Sequence, residues 1–72
     1  MNYDFVKDKL NEHGEMIVFM ECGAKLELHS TDVVFDDKSE TFSFSKGDEE
    51  HYWDGNAVEG IEVHYSHLVG GV

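Results

Sequence analysis

The sequence predicts an α+β fold: one short N-terminal helix, then a five-stranded (possibly six-stranded) antiparallel sheet, strongly bent or rolled into a small barrel. Three observations predict it. Apolar residues recur at helical spacing only over the first thirteen positions. From residue 24 on, apolar and polar residues alternate with period two over 24–29, 41–45 and 61–66. The connections are short turns, and no second helical stretch exists to carry a parallel crossover.

Asn2 is a good helix cap, and Phe5, Val6, Leu10, His13 and the stem of Lys9 follow at helical spacing. Asp4 suits the first turn, and Gly14 suits the position just past the C-terminus, so the helix is expected over 3–13. Met16-Ile17-Val18-Phe19-Met20 is continuously apolar, which predicts a strand over 16–22 covered on both faces and broken or bulged at Gly23. On this reading Cys22 continues the strand as a buried, inert thiol.

Ala24, Leu26 and Leu28 alternate with Lys25, Glu27 and His29, a half-buried strand over 24–29. Val33-Val34-Phe35 gives a third strand over 32–36. After the turn Asp36-Asp37-Lys38-Ser39, Phe42 and Phe44 alternate with Thr41, Ser43 and Ser45 in a fourth over 41–45. Lys46-Gly47-Asp48 turns the chain, and Tyr52-Trp53 fits a short strand near 50–53 before Asp54-Gly55-Asn56. Ile61, Val63 and Tyr65 alternate with Glu62, His64 and Ser66, a last strand over 61–66. The tail from Leu68 is expected to fray.

Seventy-two residues make a single domain over 1–72, near the lower size limit for folding on one core. Apolar residues at 40% and aromatics at 12% are too many for a disordered acidic tail. One cysteine excludes an intramolecular disulfide. With no secretory signal, the expected location is cytoplasmic, in the host cell if the chain is phage-encoded. The longest apolar run is too short for a membrane span. A domain this small, without a disulfide, leaves a homodimer or higher oligomer as an open stabiliser.

The order of one N-terminal helix and about five short antiparallel strands resembles that of Sm/SH3-like small barrels. The resemblance is topological, covers most of the chain and carries no shared motif. It implies a self-assembling structural module pairing edge to edge. The RNA sites of Sm proteins use basic and aromatic residues at strand ends and loops, and no such basic set can be placed here.

Charge is the feature that bears on function. Sixteen Asp and Glu stand against five Lys, with no Arg, for a formal charge of −11. That exceeds the magnitude of about 2–8 that solubility asks of a small domain, and it projects a field that steers cationic partners. Direct nucleic-acid or membrane-surface binding is excluded on the same ground, since both need clustered Lys and Arg. Salt adaptation is an alternative origin of the charge, in which case the chain is a housekeeping domain. The use of Lys without Arg fits that poorly.

Eight of the acids fall between Asp32 and Asp54: Asp32, Asp36, Asp37, Glu40, Asp48, Glu49, Glu50 and Asp54, against Lys38 and Lys46. A meander sets their turns at opposite ends of the 41–45 strand, whose Ser and Thr face outward between them. Spaced carboxylates of this kind fit a groove built for phosphates. The plainer reading is that turns are acidic because they face water. Tyr52 and Trp53 within the run are typical binding anchors, and equally typical core residues.

The expected function is therefore protein binding. The acidic strip, with Tyr52 and Trp53, would dock as a nucleic-acid mimic on a basic groove of a DNA- or RNA-handling protein. In size, charge and lack of motifs the chain is similar in type to small phage-encoded anti-defence inhibitors, anti-CRISPR proteins among them.

No catalytic signature accompanies this, and the chain is not expected to be an enzyme or to carry a cofactor. Five histidines (13, 29, 51, 64 and 67) raise a metal reading. His64 shares a face with Glu62, and His29 with Glu27, so cross-strand neighbours would have to complete any site. No paired spacing announces one, and no metal is expected.

Overall fold

The computed structural model describes residues 1–64; His67, the fraying tail and the end of the 61–66 strand lie outside them. One helix and six strands follow in order: α1 (Tyr3–His13), β1 (Glu15–Met20), β2 (Lys25–His29), β3 (Val34–Asp36), β4 (Thr41–Lys46), β5 (Glu49–Asp54), a 3-10 turn (Gly55–Ala57) and β6 (Val58–Glu62). All pairings are antiparallel, so the fold is α+β.

The helix ends where local chemistry sets them. The Asn2 side chain accepts the Phe5 N–H, and Gly14 takes a φ of 83° while its N–H closes on the Leu10 carbonyl. Tyr3, Val6 and Leu10 form its buried stripe.

The strands make two three-stranded sheets, ordered β2-β1-β6 and β3-β4-β5, and not one bent sheet or a closed barrel. The simple meander breaks between β2 and β3, which lie in different sheets, and again at the last strand. β6 does not lie beside β5 but returns to pair with β1, far away in sequence. A bulge explains why alternation misplaced it. Phe19 faces Gly60 and Met20 faces Val58, so Glu59 is an extra residue that shifts Val58 out of phase with Ile61 and Val63. The strand therefore starts at Val58, which is fully buried, rather than at Ile61.

β1 stops at Met20 rather than running on through Cys22. Glu21, Cys22 and Gly23 form the hairpin turn to β2, with Gly23 at a φ of 98°, so Cys22 is exposed and not a buried thiol. Nor is β1 covered on both faces. Met16, Val18 and Met20 point into the core, while Ile17 and Phe19 stay half-buried on the outer side, Phe19 beneath the Lys25 ammonium.

The core is unevenly supplied. Met16, Val18, Met20, Leu28 and Val58 come from the first sheet and Val6 and Leu10 from α1, while the second sheet fully buries Phe42 alone. The second sheet is anchored instead by polar clasps around Tyr3. The Asn56 side chain accepts the Tyr3 N–H at 2.8 Å and donates to the Glu40 carboxylate at 2.9 Å. The Tyr3 ring packs edge-on against Phe35, and its hydroxyl donates to Asp37 at 2.7 Å. Gly55 lies against this ring: a Cβ there would sit 2.5 Å from Tyr3 Cδ1 and 2.8 Å from the Glu40 carbonyl oxygen, which the Gly55 N–H bonds.

Candidate docking site

The ten residues expected to form one acidic strip divide between the two faces of the second sheet and its turns. Their fate follows from register. Thr41 pairs with Asp54, Ser43 with Tyr52 and Ser45 with Glu50; on the other side Asp36 pairs with Thr41 and Val34 with Ser43. Partners in a ladder share a face. The outer face is thus a grid: Asp36, Thr41 and Asp54 in one row, Val34, Ser43 and Tyr52 in the next, Ser45 and Glu50 in the third.

Those eight positions hold three carboxylates, three hydroxyl residues and two exposed apolar residues, and no cation. Val34 is 66% exposed and Tyr52 67%, the largest exposures among the large apolar side chains of the described residues. The carboxylates therefore stand near the corners, with Tyr52 and Val34 at the middle of opposite sides. Tyr52 is steadied by its hydroxyl, which donates to Glu50 at 3.3 Å. Asp32 lies off this grid, in the β2–β3 turn, where its N–H bonds the His29 carbonyl and it lines a hollow between the sheets with Ser45, Lys25 and Lys46.

The remaining residues of the strip are elsewhere. Glu49 and Trp53 belong to the opposite face of β5, because Trp53 pairs with the buried Phe42 and alternation puts Glu49 on the same face. Glu49 pairs there with His51, whose ring stacks on Phe44, and Trp53 packs against the core with its indole N–H buried and unpartnered. Asp48 sits in the β4–β5 turn.

Asp37 and Glu40, in the β3–β4 turn, serve the fold. Asp37 accepts from the Lys7 ammonium at 2.8 Å as well as from Tyr3. The Lys7 bond, and after it the Tyr3 bond, holds the Asp37 carboxyl below its usual range. Burial first, then the Asp37 bond, pushes the Tyr3 phenol far above its usual range. Glu40 is the one described non-glycine residue with a positive φ, 57°, held by its bonds to Gly55 and Asn56. Asp36 and Asp54 do double duty: Asp36 accepts the Lys38 and Ser39 N–H groups, and Asp54 accepts that of Asn56, while both remain exposed.

Sequence reasoning missed Val34, which stands across Ser43 from Tyr52, because its place on the outer face depends on its register with Ser43. It also missed Tyr3, since nothing local tells a capping-turn tyrosine that it will anchor a sheet thirty residues away.

Comparison with protein families, characterised proteins and solved structures finds no match to this chain. Among the described residues, no helix is long and apolar enough to cross a membrane.

Proposed function

We propose that this chain is a small acidic binding module, and not an enzyme, that docks the outer face of its second sheet on a basic groove of a DNA- or RNA-handling protein. It would act there as a nucleic-acid-mimic inhibitor of the phage anti-defence or anti-CRISPR type. One observation carries the reading: Asp36, Glu50 and Asp54 frame exposed Tyr52 and Val34 on a face with no compensating cation. Glu50 and Asp54 are four residues apart on one strand, about 13–14 Å at the antiparallel rise. Four nucleotides of one DNA strand rise by about the same distance. Thr41, Ser43 and Ser45 offer hydroxyls between the carboxylates, and Tyr52 supplies a central aromatic anchor of the kind that dominates interface energetics.

The test is inhibition of nucleic-acid binding across a panel of CRISPR effectors and nucleases, read as displacement of labelled DNA or RNA. A hit that is abolished by Glu50→Lys with Asp54→Lys, and unaffected by Glu49→Lys on the opposite face, supports the reading. Equal inhibition by both variants refutes this face, and no hit at all refutes the mimic.

The alternative is self-assembly as an Sm-like oligomeric module. Two open sheets leave four edge strands, β2, β6, β3 and β5, each a template for pairing with a second copy. β5 is poorly suited, since pairing its full length antiparallel with a second copy would oppose Glu49 to Asp54 at both ends. Molar mass by light scattering separates the readings, and a chain that folds only in concentrated salt would instead mark a salt-adapted domain.

A further inference from the structure

The outer face of the first sheet is chemically unlike that of the second. It carries Glu15, Ile17 and Phe19 on β1, Lys25, Glu27 and His29 on β2, and Glu62 followed by His64 at the end of β6. β1 is the central strand, with Glu15 opposite His29 on one side and Ile17 opposite Glu62 on the other. Two residues beyond the Ile17–Glu62 pair, along both strands, Glu15 and His64 come side by side. Glu15, Ile17, Glu27 and His64 indeed border one shallow hollow of about 190 Å³. The sheet thus sets His29, Glu15 and His64 in one row across three strands, with Glu27, Ile17 and Glu62 in the row behind.

We propose that Glu15, His29 and His64 form a binding site for a divalent cation of the zinc class. The strand spacing of about 4.8 Å puts the two histidines one strand to either side of Glu15. His29 Nδ1 is 3.4 Å from Glu15 Oε2. With zinc–nitrogen and zinc–oxygen bonds of about 2.0–2.2 Å, two ligands of a tetrahedral cation stand about 3.4 Å apart. The other nitrogen of His29 is held by Glu27 at 3.1 Å, and His64 Nε2 is bonded to Glu62. Carboxylates on the far nitrogens are the partners that orient metal-ligating imidazoles, and they leave Nδ1 of each ring to ligate.

Among the described residues no three such donors yet converge on one point, so closing the site takes rotation of the His64 side chain, which is 59% exposed. Ile17 gives the hollow an apolar floor, and the chain's charge of −11 draws cations to it. Two imidazoles with one carboxylate select zinc, nickel or copper over calcium and magnesium, which require oxygen shells. The fourth position is left to solvent.

The experiment is calorimetric titration of the intact chain with Zn²⁺ near physiological salt, beside Co²⁺ absorption spectra. A single saturable site is expected. His29→Ala, His64→Ala and Glu15→Gln should each weaken it at least as much as loss of an outer partner does, about 10–100-fold, and Glu27→Gln by about tenfold. His51→Ala, which removes a histidine–glutamate pair from the other sheet, should change nothing. The proposal is overturned by the absence of a saturable site, by affinity kept within about twofold in both histidine variants, or by equal competition from Ca²⁺. Should a variant fail to fold, imidazole resonances of the wild-type chain decide: Zn²⁺ perturbing His29 and His64 supports the site, and perturbation confined to other histidines refutes it.

Discussion

The two sheets have the same size and strand sense, yet they spend their side chains differently. The first sheet gives one face to the core, where five of its residues are fully buried, and mixes Lys, His and Glu on the other. The second fully buries Phe42 only, keeps Phe35, Phe44 and Trp53 half-buried, and makes its outer face acidic and hydroxyl-rich without a cation. The difference teaches that the first sheet, with α1, builds the fold, while the second is displayed by it. A domain of this size buries little apolar surface, and it can free one sheet only if a few contacts hold that sheet in place.

The largest expected effect breaks that attachment. Phe42→Ala should cost about 3–5 kcal/mol, comparable to the whole stability of a small domain. Urea denaturation would read it, and amide exchange should show β3–β5 opening before β1–β2. Uniform loss of protection would mean that the sheets are one cooperative unit. Next, Gly55→Ala forces a methyl into the Tyr3 ring and the Glu40 carbonyl, and should destabilise by about 1–3 kcal/mol. Gly47→Ala, also at positive φ but with open space around it, should lack the clash component.

A smaller effect concerns pH. The Asp37 carboxyl is lowered on folding, so its contribution is present above about pH 4 and is lost as pH falls below that. The Tyr3 phenol is raised, so its contribution is present below about pH 10 and is lost as pH climbs further. Urea midpoints across pH should show Tyr3→Phe with a flatter alkaline limb than the wild type, and Asp37→Asn with a flatter acid limb. The smallest effect sharpens the comparison from the other side. Tyr52→Ala should leave stability within about 0.5 kcal/mol, because an exposed residue on a display face holds nothing up. A larger loss would show that the outer face of the second sheet is structural.

What the sequence revealed followed from how local each signal was. The α1 boundaries rest on Asn2 and Gly14, which act within four residues, and the alternation of β2 and β4 is equally self-contained. The pairing of β1 with β6 joins residues about forty apart, and the bulge at Glu59 hides its phase. Nearness in sequence places Trp53 and Glu49 in one strip with Glu50 and Tyr52, whereas a strand sends neighbours to opposite faces. Gly23 marks a break in the strand, but nothing local shows that the turn already begins at Glu21, which is what puts Cys22 on the surface. Glu15, His29 and His64 lie on three strands and become neighbours only once register is known.

The position of Trp53 has a practical side. It is the chain's sole tryptophan, on the inward face of β5 with its indole N–H shielded from water, directly behind the outer face that Tyr52 presents. Its emission is therefore an internal gauge of whether the second sheet stays seated. A ligand that settles on the outer face leaves that gauge nearly still, while one that prises the sheets apart shifts it to the red.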